Sequence, residues 1–281
     1  MTSLYRYNRI YTGPVKACIL DWCGTSANKY SLATTRVFDQ FFKKYKVPIG
    51  VEHVRKSIGL RMDLQILEIL KIPSVSKRWK DLHGQLPNEA DVNSMYSDFV
   101  PMFMKSLHEY GELIPGTSKA IDSLKTDLNC KIGSTTCLSR SMVDILLNAA
   151  VKQGYHPNTT VASDEVNNGI HPKPHMIYKS MGLLDISPIQ SVVKVGATSY
   201  TIHEALEAGC WAVAVSRYSN YMNINSFEEE NEVSEDDMKQ RNTVAQEILI
   251  NSGAHYVIDS IVQLPDIVNE INHRLSKGEK P

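Results

Sequence analysis

Short apolar segments recur along the chain, and each is closed by polar or turn-forming residues. Segments of this kind are typical of strands buried on both faces of a parallel sheet. Helix-length stretches lie between them, at 118–127, 139–152, 174–181, 200–208 and 261–275. The alternation predicts an α/β fold with a doubly wound parallel sheet. The predicted strands are 15–22, 130–134, 160–162, 191–196, 211–215 and 254–258.

One interval, residues 29–113, breaks this alternation because it contains helical patterns and no convincing strand. Helices are predicted there at 34–45, 51–58, 63–70, 76–82 and 90–108, and the turn Ile114-Pro115-Gly116 closes it. We therefore predict a helical cap domain, 29–113, inserted after the first strand of a core domain formed by 15–28 and 114–281. Residues 1–14 are predicted to be an N-terminal extension.

Charge and cysteine content limit the classes of function. The 30 basic side chains nearly balance the 31 acidic ones, so the chain lacks the basic field typical of nucleic-acid binding. Five scattered cysteines favour reduced thiols and an intracellular location. No apolar run is long enough for a membrane span. The basic start of the chain, with Arg6, Arg9 and Lys16, leaves two alternatives: a cytoplasmic protein with a short ordered tail, or mitochondrial import.

Polar residues follow the predicted strands where open α/β sheets bind ligands. Asp21 ends the first strand and is followed by Gly24 and Thr25; Ser134 and Thr136 end the second. A carboxylate in that position can attack phosphorus while neighbouring N–H groups hold the phosphoryl oxygens. A lone Asp is weak support, because Asp also caps helices. Asp21 after the first strand, followed later in the chain by Ser134 and Thr136 after the second, favours a phosphate-sized pocket. The competing interpretation is that these residues only shape the turns.

Several strings make the chain resemble phosphonoacetaldehyde hydrolases of the haloacid dehalogenase superfamily. DWCGT matches the family's DWAGT, and KIGSTT matches its GSTTGY. HPKP, KVGAT, QGYHP, NSGAHYVID and, in the insert, GQLPNEADVNSMYSDF match further family segments. The resemblance runs from about residue 15 to residue 273. It implies a haloacid dehalogenase-like, Rossmann-type core with a helical cap.

The resemblance also implies a chemistry. In the family, a cap lysine forms an imine with the aldehyde, and this imine accepts the electrons released from the carbon–phosphorus bond. A nucleophilic Asp, here Asp21, takes the phosphoryl group, and Mg2+ bridges the two. The metal is held by Asp21, by a backbone carbonyl at Cys23 and by an Asp of the fourth motif. Thr136 and the third-motif position, His171, are the other implied catalytic residues, and the phosphate-binding residues are Gly24, Thr25, Ser134 and Thr136.

The chain departs from the family at most of the positions that carry this chemistry. Arg61 stands beside the imine position, but a guanidinium cannot form an imine. Lys173 lies two residues from His171, which replaces a family Arg. The lost family residues are an imine lysine at Met62, a His at Gln65, a Tyr at Leu138, and carboxylates at Ala197 and Thr201.

These losses lead to a main hypothesis and two alternatives. The main one is a pseudoenzyme that has lost carbon–phosphorus hydrolysis and serves a binding or structural role, as a homodimer through its cap helices or with a protein partner in a larger complex. The first alternative is a Mg2+-dependent hydrolase of a phosphate ester, in which Asp164 or Glu165 replaces the missing ligand. The second is phosphonoacetaldehyde hydrolysis with another lysine, Lys56. Mg2+ is expected only if the chain is active.

Overall fold

A computed structural model describes residues 10–167 and 173–281. Its centre is a six-stranded sheet with the order β3-β2-β1-β4-β5-β6, and every neighbouring pair is parallel. This architecture confirms the predicted doubly wound α/β fold. The strands are β1 (Ala17–Leu20), β2 (Lys131–Thr136), β3 (Thr159–Ala162), β4 (Val192–Gly196), β5 (Trp211–Val215) and β6 (Tyr256–Ile258).

The sheet is buried on both faces, which explains why its strands are apolar rather than alternating. Ile19 and Leu20 are neighbours in β1 and are both fully buried, but they belong to two different core clusters. Helices cover both faces of the sheet. They are α6 (Thr117–Thr126), α7 (Arg140–Val151), α8 (His175–Leu184), α9 (Ser199–Ala208), α10 (Phe227–Glu232), α11 (Glu235–Asn251) and α12 (Leu264–Ser276).

Residues 29–113, called the cap segment below, contribute no strand to the sheet within the described chain. Their core is aromatic: the ring centroids of Phe38 and Phe99 lie 4.6 Å apart, and Phe41 meets Phe99 edge-on at 5.2 Å. The predicted domain boundaries stay a prediction, and residues 1–9 of the predicted extension lie outside the described residues. The helices are α1 (Leu32–Lys44), α2 (Val51–Arg55), α3 (Met62–Lys71), α4 (Pro73–His83) and α5 (Glu89–Leu107).

The cap segment docks at the carboxyl end of β4. A Cβ atom on Gly59 would lie 2.9 Å from the Tyr200 ring and 3.0 Å from the Thr198 hydroxyl, both just beyond that strand. The backbone of Gly59 also has φ +110°, which side chains of L-residues rarely adopt. Glycine is therefore required where the cap segment approaches the core. Arg55 adds a second connection, donating to the carbonyl oxygen of Ile224 over 2.8 Å.

Helix starts account for the acidic run at 228–237. Ser226 accepts from the N–H of Glu229 at the start of α10, and Ser234 accepts from the N–H of Asp237 at the start of α11. Acidic residues fill the first turn of both helices, where they offset the helix dipole. Residues 228–237 are thus the solvated start of two helices.

Candidate active site

Asp21 lies directly beyond the carboxyl end of β1 and is 8% exposed. Its Oδ1 atom accepts a hydrogen bond from the N–H of Trp22 over 2.8 Å, and its Oδ2 atom accepts from the hydroxyl of Thr201 over 2.8 Å. The Ser26 hydroxyl donates to its backbone oxygen over 2.5 Å. Both carboxylate oxygens are thus held by groups of the chain itself.

The other predicted anion-binding residues lie at the same edge of the sheet, because β1 and β2 are adjacent and Leu20 pairs with Ser134. The Ser134 hydroxyl accepts from the indole N–H of Trp22 over 3.2 Å. Thr136 accepts from the N–H of Leu138, also over 3.2 Å. The Ser134 and Thr136 hydroxyls are therefore already engaged within the chain.

Thr25 differs, because its buried hydroxyl oxygen has no hydrogen-bond partner among the described residues. A buried hydroxyl left in this way carries a desolvation penalty unless another group meets it. Gly24, just before it, has φ +73°, and a Cβ there would lie 2.9 Å from the backbone oxygen of Tyr218. The DWCGT turn therefore keeps its tight geometry and holds one buried polar atom that no other described residue meets.

Ala197 and Thr198 form the loop after β4, and Thr201 lies in the first turn of α9. Ala197 is 1% exposed, and its methyl group lies 3.1 Å from the place of a Cβ on Gly24. Thr198 caps α9 by accepting from the N–H of Thr201 over 3.2 Å. A helix N-terminus is thereby aimed at this edge, and Thr201, in its first turn, reaches back to Asp21.

The family resemblance implies a Mg2+ site here, but the residues present do not fit this ion. Mg2+ demands several oxygen ligands in near-octahedral geometry. Here Asp21 supplies a carboxylate and Cys23 a backbone carbonyl, whereas Ala197 supplies a methyl group and Thr201 a hydroxyl already bound to Asp21. Across 10–167 and 173–281, no cluster of three or more His, Cys, Asp or Glu side chains could hold a metal ion.

Met62 and Gln65, which stand at two lost family positions, lie together in the first turns of α3. Met62 is 1% exposed, and the Gln65 amide donates to its sulfur over 3.5 Å and to the backbone oxygen of Leu60 over 2.8 Å. A thioether in this place has no nucleophilic nitrogen. The side chain fills the space with apolar volume instead.

A buried ion pair lies behind the site, and the sequence analysis missed it. Lys194 in β4 and Glu204 in α9 are both fully buried, with 3.6 Å between Nζ and Oε2. The Lys194 ammonium also donates to the Thr135 hydroxyl of β2. One signal was available: a lysine inside an otherwise apolar strand, KVG, is rare unless its charge is paired.

Two cysteines near Asp21 are not activated thiols. Burial, followed by the negative charge of Asp21, raises the pKa of Cys23 to about 12. Burial also raises the pKa of Cys137. A thiol must ionise to act as a nucleophile, so both cysteines are inert near neutral pH.

The remaining candidates lie elsewhere or are engaged. Asp164 accepts from the N–H of Arg140 at the start of α7 over 2.8 Å, and Glu165 pairs with the guanidinium of the same arginine, so neither turns toward Asp21. Lys56 is exposed, beside His53 in a shallow 180 Å3 depression. His171 lies outside the described residues, and Lys173 is exposed.

Comparisons with known proteins point in one direction, although no family model matches the chain. It is 37% identical to a phosphonoacetaldehyde hydrolase of Syntrophobacter fumaroxidans over 279 residues, covering 99% of this chain and 100% of that protein. It is 33% identical to a phosphonoacetaldehyde hydrolase of Nitratidesulfovibrio vulgaris over 97% of this chain and 96% of that protein.

A solved structure gives the same result in three dimensions. The crystal structure of a phosphonoacetaldehyde hydrolase-like protein from Oleispira antarctica matches with a TM-score of 0.94 and 32% identity. The match covers 99% of this chain and 100% of that one. The likeness therefore includes the cap segment as well as the sheet. As for membranes, none of the helices in the described parts of the chain is long and apolar enough to cross one.

Proposed function

Because the chain belongs to the phosphonoacetaldehyde hydrolase family of the haloacid dehalogenase superfamily, we propose its function as a departure from that family's reaction. It keeps Asp21 and the neighbouring polar residues Thr25, Ser134 and Thr136 but does not cleave a carbon–phosphorus bond, and it serves a binding or structural role. The observation that carries this proposal is the buried thioether of Met62, at the position where the family resemblance implies an imine-forming lysine.

The chemical reason is the fate of an electron pair. Breaking the carbon–phosphorus bond leaves two electrons on carbon, and an imine nitrogen accepts them, whereas a thioether cannot. Arg61 cannot substitute, because its guanidinium forms an ion pair with Asp63 at 2.7 Å and stays protonated. Lys56 is exposed, and no contact among residues 10–167 and 173–281 holds it against Asp21. The family's own mechanism therefore lacks its electron sink.

A second candidate is hydrolysis of a phosphate ester through Asp21. An ester oxygen leaves with its electrons without an imine, so the loss at Met62 does not prevent this reaction. The comparisons favour this alternative over loss of activity, since the relatives named above are hydrolases or hydrolase-like and none is described as inactive. In this candidate, Asp21 would attack phosphorus, and Thr25, Ser134 and Thr136 would hold its oxygens.

A turnover assay decides between the two. The purified full chain is tested on phosphonoacetaldehyde and on a panel of phosphate monoesters, with and without Mg2+, beside the Asp21→Asn and Asp127→Asn variants. Asp127 is the matched control, because it is an exposed carboxylate at the end of α6 that accepts from Ser123 and Thr126. We expect no turnover that Asp21→Asn removes. Turnover that Asp21→Asn abolishes and Asp127→Asn leaves intact would establish the phosphohydrolase instead.

The Met62→Lys variant tests directly whether position 62 is where an imine-forming lysine would act. Incubation with an aldehyde and borohydride, followed by peptide mass mapping, detects a lysine that has formed an imine. We expect a reduced adduct at position 62 only in the variant. An adduct at Lys56 in the unaltered chain, in preference to other exposed lysines, would contradict the proposal and revive phosphonoacetaldehyde hydrolysis.

The partner of the proposed binding role is either a second copy, through the cap helices, or another protein of a larger complex. Trp79 is 3% exposed and packs inside the cap segment, so it cannot form the contact itself. Leu82 and Leu86 are 50% and 59% exposed on the same segment and would supply the apolar contact. Light scattering of the Leu82→Ser and Leu86→Ser variants tests whether the chain forms this dimer.

The location of the protein is a separate question. A fluorescent reporter fused to residues 1–16 distinguishes a cytoplasmic from a mitochondrial location.

A further inference from the structure

We propose that the Thr201 hydroxyl takes the place of a divalent cation on the Asp21 carboxylate, so that this site takes up no Mg2+. The inference deepens the proposed function and rests on it for the identity of the site. It concerns the ligand of the carboxylate, however, rather than the reaction. A metal-binding measurement therefore tests it separately from turnover.

The direction of the hydrogen bonds of Thr198 and Thr201 supports the view that the Thr201 hydroxyl stands in for the cation. Thr198 and Thr201 have their hydroxyl oxygens 3.0 Å apart, and Thr201 lies 2.8 Å from Asp21 Oδ2. A carboxylate only accepts, so Thr201 must donate to Asp21, and Thr198 then donates to Thr201. The chain of donors ends on the carboxylate oxygen.

Packing fixes the Thr201 hydroxyl in this direction. Thr201 is fully buried, and its methyl group would lie 2.1 Å from a Cβ on Gly196, so the methyl fills the space that this glycine leaves open. A β-branched residue in a helix has few χ1 rotamers. With the methyl group against Gly196, the hydroxyl stays on Asp21. A cation approaching Oδ2 would have to displace a buried, fully packed side chain.

Charge supports the same conclusion. The family resemblance implies carboxylates at positions 197 and 201, which together match the two positive charges of Mg2+. Here both of these carboxylates are absent, so the ion would meet only the single negative charge of Asp21, and the site has lost the repulsion between carboxylates that the ion would relieve. Lys194 and Glu204, the buried pair behind the site, carry opposite charges 3.6 Å apart, so the pair itself adds no net negative charge for a cation to offset.

The test uses Mn2+ as a paramagnetic probe, because it prefers the same oxygen ligands as Mg2+. Loss of the free Mn2+ signal in electron paramagnetic resonance measures binding to the full chain. The variants are Thr201→Asp, the double variant Ala197→Asp/Thr201→Asp, and the latter combined with Asp21→Asn. Circular dichroism verifies that each is folded. Thr201→Asp alone suffices if the buried Ala197→Asp change prevents folding, since Asp and Thr are similar in size.

We expect the unaltered chain to leave the signal unchanged. We expect the carboxylate variants to bind about one equivalent of Mn2+, with an affinity at least about tenfold above that of the unaltered chain, because each added carboxylate is a charged ligand. We expect the added Asp21→Asn change to abolish this binding. One equivalent bound by the unaltered chain and lost in Asp21→Asn would overturn the inference. So would folded carboxylate variants that still bind nothing. Metal binding without turnover would leave the proposed function standing, and metal-independent turnover would overturn that function alone.

Discussion

The Nη2 atom of Arg55 lies 2.8 Å from the carbonyl oxygen of Ile224, joining α2 of the cap segment to the core loop that follows β5. Its other guanidinium nitrogen donates to the Asn220 carbonyl, and burial lowers the pKa of Arg55. Carbonyl oxygens replace the water that this half-buried charge has lost. Arg55 thus joins the cap segment to the core through two backbone oxygens and the side chain of Asn225, and Lys29 adds an ion pair with Glu230.

Replacing Arg55 with Met should loosen this attachment. Hydrogen bonds from charged groups contribute about 1.5–3 kcal/mol each, so losing the two bonds to backbone oxygens should lower the free energy of unfolding by roughly 3–6 kcal/mol. Urea denaturation measures the loss, and hydrogen exchange should increase at 51–62 and 220–225. Arg78→Met is the control, because Arg78 donates to Pro48 within the cap segment and is exposed. Equal effects of the two variants would contradict the attachment.

Replacing Lys194 with Met should destabilise the chain more strongly. The variant removes the cation of a fully buried ion pair, and removing one partner of such a pair typically costs about 3–5 kcal/mol. The double variant Lys194→Met/Glu204→Met removes both charges and should recover much of that loss. Thermal or urea unfolding of the two single variants and the double variant gives the coupling free energy. Additive effects would show that the pair does not interact.

Thr201→Val should cost less, because valine keeps the methyl packing against Gly196 and removes only the hydroxyl. We expect a loss of about 1–2 kcal/mol, the usual result when a buried hydrogen bond loses its donor. Thr201→Ser keeps the hydroxyl that donates to Asp21 and loses only a methyl group. Urea midpoints compare the two variants. A valine variant as stable as the unaltered chain would mean that the bond to Asp21 contributes nothing.

Stability should fall on mild acidification, partly through His255. Burial, followed by the charge of Arg274, lowers the pKa of His255, and its Nδ1 atom accepts from the N–H of Ala212 over 2.9 Å. The folded state therefore favours neutral imidazole. Its contribution is complete above the ordinary pKa of about 6.5 and is lost as the pH falls toward the lower folded pKa.

Urea unfolding measured between about pH 7.5 and pH 5.5 checks this dependence on either side of the ordinary histidine pKa. His255→Asn keeps a hydrogen-bond acceptor that does not titrate in this range, so the free energy of unfolding of this variant should depend less steeply on pH. His156→Asn serves as the control, because His156 is exposed and its ring accepts no hydrogen bond from the described residues. An unchanged slope in His255→Asn would assign the pH dependence to other groups.

The fold could be predicted from the sequence because burial dictates its pattern. Apolar runs such as 211–215 become central strands, and the structure has β5 in that place. Helix ends were less accurate: α8 reaches Leu184, three residues beyond the prediction, because its apolar face continues and ends only where Asp185 adopts a left-handed conformation. Such an end depends on backbone geometry that composition does not reveal.

The site could be predicted only in part. The positions of Asp21, Ser134 and Thr136 follow from strand order, since the ends of parallel strands meet at one edge. The bond from Thr201 to Asp21 could not be predicted, because the two residues are far apart in the chain and the contact depends on a rotamer set by Gly196. Asp164 and Glu165 show the opposite case. They lie at the predicted carboxyl edge of the sheet, but Arg140 binds both of them, which the sequence did not indicate.

The central position of β1 has a consequence for how the chain is made. β1 pairs with β2, which begins at Lys131, and with β4, which begins at Val192, so both of its neighbours are synthesised long after it. Closing such long loops is slow, whereas helices form from local contacts. On the ribosome, the cap segment emerges complete while β1 still has two unsatisfied edges. Newly made chains therefore depend for solubility on the helices that follow β1 until β4 arrives.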